Sequence, residues 1–134
     1  MRYHGAMKTT AVALITLLGL SAAGLAAAFQ ANAQVRHVVV FKYKPEATPE
    51  QIRQITTAFA ALEDRIPGIV AFEHGVNNSP ENLNKGFTHV YLMTFTDAKA
   101  RDAYLPHPEH RAFGTLLGSL GILEEAFVVD YVAE

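Results

Sequence analysis

The chain has 134 residues, no cysteine and no tryptophan, and a formal net charge of −2 with neutral histidines. The absence of cysteine excludes disulfide bonds and thiolate metal sites. A slightly acidic chain lacks the basic surface that nucleic-acid binding requires, so we expect no nucleic-acid partner.

The N-terminal segment is typical of a signal peptide. Two basic residues precede an uncharged, mostly apolar run over residues 9–29, and a small–x–small pattern closes at Ala33. We expect cleavage between Ala33 and Gln34. This gives a signal peptide over residues 1–33 and one exported domain, periplasmic or secreted, over residues 34–134, with no stable membrane insertion after cleavage. The alternative is an N-terminal helix that stays uncleaved and anchors the protein, because the run is about as long as a membrane span.

The mature chain begins with a predicted strand over residues 34–44, a nearly continuous run of β-forming side chains that Pro45 ends. Apolar side chains fall on both of its faces, so both faces are expected to be covered. A helix follows, with Thr48 as N-cap, Pro49 at the first helical position and Gln51 completing a capping box.

The first predicted helix is amphipathic, with apolar side chains recurring every three or four residues until Pro67 and Gly68 stop it. This stripe is expected to face the core. It consists of Ile52, Ile55, Phe59, Leu62 and Ile66.

The remainder of the chain continues the alternation of strands and helices. A polar, turn-rich loop separates the second strand from the third, and Gly121 is the expected C-cap of the last helix. The predicted elements are a strand over residues 69–77, the loop over 78–86, a strand over 87–95, a short helix capped by residues 96–97 and ending near 105, a helix from Pro108 to Leu120, and a strand over 122–132.

The order β-α-β-β-α-β predicts a ferredoxin-like α+β fold with an antiparallel sheet. In this fold the helices cover one face of the sheet and leave the other face open. Because the strands are apolar on both faces, the open face needs a covering partner. We expect a homodimer in which two sheets pack together as a dimeric α/β barrel.

Residues 104–110, Tyr-Leu-Pro-His-Pro-Glu-His, gather two histidines, a tyrosine and a carboxylate between two predicted helices. Prolines on either side of His107 restrict φ and remove backbone donors, so this corner is expected to be rigid. A segment that only reverses the chain would more usually contain Gly, Asn, Asp or Ser. We therefore take the corner as the candidate functional segment.

Three segments of the chain resemble the stress-responsive A/B barrel (Dabb) family: residues 37–44, residues 75–90, and residues 104–113 with the pattern Y-x-x-H-P-x-H-x-x-F. The resemblance covers about residues 35–132 and implies a dimeric α/β barrel with an apolar interior pocket. A plant polyketide cyclase of this family performs an aldol cyclisation with a tyrosine–histidine pair.

The resemblance to that cyclase places the candidate catalytic pair at Tyr104 and His110 and two cavity histidines at His37 and His89. An aldol step needs a base beside a carbonyl and a donor for the developing oxyanion, which a histidine and a tyrosine supply without a cofactor. The first turn of the last helix favours an uncharged His110. Phe59 is expected to shape the pocket together with Leu62.

Two functions remain open from the sequence. The first is an exported, stress-associated binding or structural barrel whose pocket takes a small hydrophobic ligand. In that case Tyr104 and His110 form a hydrogen-bonded pair that only anchors the corner. The second is a cofactor-independent cyclase, isomerase or lyase acting on a small hydrophobic carbonyl compound.

Other chemistries have weaker support in the sequence. A metal site would need His37, His89, His107 and His110 to converge, yet no H-x-x-x-H or H-E-x-x-H spacing occurs, and we predict no metal. No haem signature, phosphate-binding glycine loop or nucleophile elbow is present. We predict no cofactor.

Overall fold

The computed structural model describes residues 33–134, so the predicted signal peptide lies outside the described residues apart from Ala33. Within this range no helix is both long and apolar enough to cross a bilayer. The elements in chain order are β1 (Val35–Tyr43), α1 (Pro49–Ala60), α2 (Leu62–Arg65), β2 (Ile69–Val76), β3 (His89–Phe95), α3 (Ala98–Tyr104), α4 (Pro108–Leu120) and β4 (Leu123–Val132).

The four strands form one sheet in the order β2-β3-β1-β4, and every neighbouring pair is antiparallel. This arrangement confirms the predicted ferredoxin-like α+β fold, with β1 and β3 at the centre. Helices α3 and α4 together connect β3 to β4, and the Pro-His-Pro corner separates them, as the sequence indicates.

Helix α1 begins with the predicted capping box. The hydroxyl of Thr48 accepts the backbone N–H of Gln51 at 3.2 Å, and the side chain of Gln51 accepts the backbone N–H of Thr48 at 3.0 Å. The predicted single helix is interrupted after Ala60, and α2 continues it for one turn. The apolar stripe nevertheless stays on the core side, since Leu62 and Ile66 are both buried.

Gly68 ends the first helical unit for two physical reasons. Its φ is +90°, a backbone conformation that side chains with a Cβ rarely adopt. A Cβ at this position would also lie 2.6 Å from the Cβ of Ala100, which is far inside van der Waals contact. Glycine therefore allows α3 to pack directly against the start of β2.

The hydrophobic core lies between one face of the sheet and the helices. Along β1 buried residues alternate with half-buried ones, so Val39 and Phe41 face the helices while Val38 and Val40 face away. The largest fully buried side chains are Tyr91, Tyr104, Phe95, Ile55, Leu62 and Met93.

The opposite face of the sheet, which we call the open face, is apolar and exposed, as the strand pattern predicts. On β4 Phe127 is 54% exposed, Val129 44% and Tyr131 48%. They lie opposite Val40, Val38 and Arg36 of β1 in the strand register. A contiguous apolar surface of this kind is unusual on an isolated monomer.

Removing the N-cap hydroxyl of α1 is predicted to weaken the fold measurably. Thr48→Ala leaves the backbone N–H of Gln51 without its side-chain acceptor, so the free energy of unfolding falls by about 1 kcal/mol. Urea denaturation measures the loss. Thr57→Ala, the same change on the exposed side of α1, is the matched control and should leave stability nearly unchanged. Equal effects of the two substitutions would contradict the cap assignment.

Candidate active site

The corner between α3 and α4 is organised by His107, which is the N-cap of α4. Its backbone is extended, with φ −63° and ψ 138°, and Pro108 takes the first helical position. The Nδ1 atom of His107 accepts the backbone N–H of Glu109 at 3.2 Å. Its ring therefore stabilises the start of the helix.

Two side chains from the first turn of α4 hold the corner from the other side. The Nδ1–H of His110 donates to the carbonyl of Leu105 at 2.9 Å. The guanidinium of Arg111 donates to the carbonyl of Pro106 through Nε at 2.9 Å and through Nη2 at 2.6 Å. Because a carbonyl only accepts, Nδ1 of His110 carries a hydrogen, and in the neutral form of the ring the lone pair lies on Nε2.

Tyr104 is fully buried at the end of α3, directly against the ring of His110. The two ring centroids lie 4.2 Å apart and the ring planes are inclined by 35°. Within residues 33–134 the Tyr104 hydroxyl has no hydrogen-bond partner, although it is buried. The hydrogen-bonded Tyr104–His110 pair considered from the sequence is therefore not formed, and the two rings are in tilted contact instead.

A cavity of about 260 Å³ lies beside this ring pair, between the sheet and α4. Most of its wall is apolar or aromatic, and Phe59 and Phe113 stack at a centroid distance of 4.4 Å on one side. Its lining residues are His37, Val39, Phe41, Phe59, Tyr104, Leu105, His110, Phe113, Gly114, Leu117 and Val128.

His37 contributes the remaining polar group of the cavity wall and is held by a carboxylate. Its Nδ1–H donates to Asp130 Oδ1 at 2.6 Å, and the other oxygen of Asp130 accepts from Arg101. Sequence reasoning missed Asp130 and Arg101. One signal was available, because Asp130 is a lone carboxylate within the apolar run of β4, opposite His37 in the register.

The structure brings four of the six proposed site residues together around the cavity: His37, Phe59, Tyr104 and His110. It does not bring His89 or Leu62 there. Leu62 packs in the core and borders a separate groove between α1, α2 and α4. His89 lies at the far end of the sheet, where its ring meets Tyr43 edge-on at 5.0 Å.

Burial and neighbouring groups shift the pKa values of Tyr104 and His89. Burial raises the pKa of the Tyr104 hydroxyl, and the nearby Asp130 carboxylate raises this pKa further. Tyr104 therefore keeps its phenol proton to higher pH than an exposed tyrosine. Burial lowers the pKa of His89, and repulsion from His74 adds to this shift.

The described residues contain no cluster of three or more His, Asp or Glu side chains arranged to hold a metal ion. The four histidines considered as possible ligands are separated, because His107 caps α4 and His89 lies away from the cavity.

Alkaline pH is predicted to destabilise the protein through Tyr104. Below about pH 10 the folded and unfolded states both keep the phenol proton. Above it the unfolded chain ionises first, because folding raises the pKa of Tyr104, so stability falls by about 1.4 kcal/mol per pH unit. Tyr104→Phe should remove this contribution. Urea denaturation above pH 10 should then show a smaller fall of the free energy of unfolding with pH than in wild type. An unchanged slope would show that the folded state does not hold the phenol proton.

The family model for the stress responsive A/B barrel domain matches residues 35–133. The stress-response A/B barrel domain-containing protein HS1 of Arabidopsis thaliana is 35% identical over 102 residues, which cover 76% of this chain and 92% of that protein. The olivetolic acid cyclase of Cannabis sativa is 29% identical over 97 residues, which cover 72% of this chain and 94% of the cyclase.

Solved structures agree with these sequence matches. The hydroxynitrile lyase of Passiflora edulis superposes with a TM-score of 0.69 at 26% identity, covering 77% of this chain and 95% of the lyase. A dimeric ferredoxin-like protein from Jannaschia superposes with a TM-score of 0.64 at 28% identity. The match covers 75% of this chain and 99% of that protein. The resemblance read from the three sequence segments is thereby confirmed, and the chain belongs to the stress-responsive A/B barrel domain family.

Proposed function

We propose that the cavity binds a small, largely apolar carbonyl compound and that Tyr104 and His110 move a proton at the carbon beside its carbonyl. This is the elementary step of a cyclase, an isomerase or a lyase that needs no cofactor. The observation that carries the proposal is the buried hydroxyl of Tyr104, which has no hydrogen-bond partner among the described residues.

A buried hydroxyl without a partner costs about 1–3 kcal/mol. Ordinary structural tyrosines avoid this cost by donating to a neighbouring carbonyl or carboxylate. Tyr104 borders the cavity instead, and we propose a ligand carbonyl oxygen as the acceptor of its hydroxyl hydrogen. A phenol is protonated at neutral pH, so the Tyr104 hydroxyl can donate a hydrogen bond to a developing oxyanion.

His110 is placed to act as the base. Its Nδ1–H is committed to the carbonyl of Leu105, which fixes the ring and leaves the lone pair on Nε2. The ring lines the cavity beside Tyr104. A proton taken by Nε2 from the carbon next to a carbonyl leaves an enolate, whose oxygen the Tyr104 hydroxyl stabilises by hydrogen bonding.

The cavity restricts the size and polarity of the ligand. Its volume of about 260 Å³ is below the usual range for sites that bind drug-sized molecules. The stacked rings of Phe59 and Phe113 provide a flat aromatic wall. These features favour a compact molecule with one aromatic or unsaturated apolar part and a carbonyl at one end.

The names of two relatives support this reaction class. One is a cyclase of Cannabis sativa and the other a hydroxynitrile lyase of Passiflora edulis. The more similar relative HS1 is named for its stress-response barrel domain alone. The alternative function is therefore a ligand-binding protein without catalytic activity, and the experiment must distinguish it from an enzyme.

Acetophenone in deuterated buffer tests the proton transfer directly. The wild-type protein is expected to accelerate deuterium incorporation into the methyl group, which proton NMR follows as loss of the methyl signal. Tyr104→Phe and His110→Ala should each reduce the catalysed rate by about a hundredfold or more, because each removes one partner of the transfer.

His74→Ala is the matched control for these variants, since His74 is exposed on β2 and does not line the cavity. It should retain the wild-type exchange rate. Binding of acetophenone without faster exchange would establish the binding barrel and reject the enzyme. Exchange that survives in both Tyr104→Phe and His110→Ala would reject the assignment of this pair.

We also propose that the open face of the sheet pairs with the open face of a second copy. Phe127, Val129 and Tyr131 expose about half of their surface there, together with half-buried Val38 and Val40. Structural neighbours of this chain are described as dimeric. Pairing of the two faces would remove the apolar patch from water and stabilise the assembly.

A charge in the open face is predicted to separate the subunits. Val129→Glu would bury a carboxylate without a partner at the interface, so the dimer should dissociate at concentrations at least about a hundredfold higher than wild type. Sedimentation velocity measures this change. Thr115→Glu, an exposed position on α4, is the control and should remain dimeric. A wild-type protein that is monomeric at every concentration would overturn the proposal.

A further inference from the structure

Gly114 lines the cavity from α4, although neither the backbone nor the packing requires a glycine there. It is an interior residue of this 13-residue helix, where only proline is less favourable than glycine. Among the described glycines, only Gly68, Gly86 and Gly121 have a positive φ. A Cβ at Gly114 would have no described atom of another element within 4 Å. The fold itself would therefore accept a side chain at this position.

The position of Gly114 along α4 places this free space next to the proposed base. Residues three, four or seven apart share one face of a helix, and His110, Gly114 and Leu117 all line the cavity. The space at Gly114 thus lies one helical turn beyond His110, on the same face. Because glycine has no side chain, the cavity extends along α4 where another residue would fill it.

The exposure of the lining residues shows which end of the cavity is closed. Tyr104 is fully buried and lies at the closed end. Leu105 is 49% exposed, Val128 is 52% exposed and Gly114 is exposed as well, so these three residues form the opening, which we call the mouth. Val128 lies opposite Val39 in the strand register, so the mouth is on the helix side of the sheet.

We propose that Gly114 is a specificity-determining residue that keeps the mouth wide enough for an apolar chain of the ligand to pass. This deepens the proposed function and rests on it, because the carbonyl of the same ligand meets the Tyr104 hydroxyl at the closed end. The chain leaves the cavity between α4 and β4. The exposed side chains there, Leu105 and Val128, are apolar, so a hydrocarbon chain matches the mouth better than a charged group.

The ligand class is therefore an aryl ketone that carries an alkyl chain on the side of the ring remote from the carbonyl. The ring and the carbonyl fill the enclosed part of the cavity, whose volume of about 260 Å³ limits them to a compact group. The chain extends through the mouth, so its length is not limited by this volume.

The chain offers a matched pair of substitutions, because α4 contains a second exposed glycine one turn later. Gly118 also has open space around its Cβ position among the described residues, but it does not line the cavity. Gly114→Leu and Gly118→Leu should both favour the helix, since leucine is a far better helix former than glycine. The leucine side chain obstructs the mouth in the first variant and not in the second.

Calorimetric titration of the intact protein with acetophenone and 4′-butylacetophenone tests the role of Gly114. Wild type should bind the butyl compound at least about tenfold more tightly, because the chain is partly removed from water at the mouth. In Gly114→Leu this preference should fall to about twofold or less, while acetophenone keeps nearly its wild-type affinity. Gly118→Leu should retain the full preference.

A wild type without the preference would overturn the proposal. A preference that persists in Gly114→Leu, or one that is lost equally in Gly118→Leu, would do the same. Urea denaturation provides a second reading, in which both variants should have at least the wild-type midpoint. A lower midpoint in Gly114→Leu alone would show that the glycine is needed for packing, which would also overturn the proposal.

Butylbenzene has the same ring and chain without the carbonyl, so it separates this inference from the proposed reaction. If butylbenzene binds as tightly as 4′-butylacetophenone and is weakened only in Gly114→Leu, the role of Gly114 stands and the assignment of a carbonyl ligand fails. If acetophenone exchange is catalysed as proposed but binding does not depend on the chain, the reaction stands and the role of Gly114 is rejected.

Discussion

The closed corner between α3 and α4 is the constraint on which the site depends. Two side chains of the first turn of α4 donate back to carbonyls of the corner, His110 to Leu105 and Arg111 to Pro106. These bonds bring the end of one helix against the start of the next. As a result the ring centroids of Tyr104 and His110 lie 4.2 Å apart, with the ring planes inclined by 35°.

His110 both closes the corner and lines the cavity, so the hydrogen bond to Leu105 that stabilises the corner also orients the ring in the cavity wall. It selects the tautomer with the lone pair on Nε2. On the other side of Tyr104, Asp130 fixes His37 in the corresponding tautomer. The apolar wall around these groups would strengthen their electrostatic effect on the carbonyl compound that we propose as the ligand.

Much of the fold follows from local sequence signals. The structure confirms three kinds of local signal: the apolar strand runs, the capping box at Thr48 and the C-cap at Gly121. The φ of Gly121 is 63°, in the left-handed region. The interruption of the first helix after Ala60 had no such signal. Leu62 and Ile66 are nevertheless buried in the core after the interruption.

The site was less predictable than the fold. The proline-bracketed corner and the family resemblance indicated Tyr104, His110 and His37, which the structure brings together. Local sequence patterns could not distinguish His37 from His89, because both histidines lie on apolar strands. The sheet register and the helix packing place His37, and not His89, beside the cavity. The pairing of Asp130 with Arg101 joins β4 to α3 and is a tertiary contact without a local signature.

The free energy of unfolding of ligand-free Tyr104→Phe at neutral pH tests the central claim most directly, because it reports whether the buried hydroxyl has a partner. Compared with wild type at the same protein concentration by urea denaturation, the variant should be as stable or more stable, since it loses a donor that had no acceptor. A loss of about 1–3 kcal/mol would show that Tyr104 donates a structural hydrogen bond. That result would contradict its availability to a ligand.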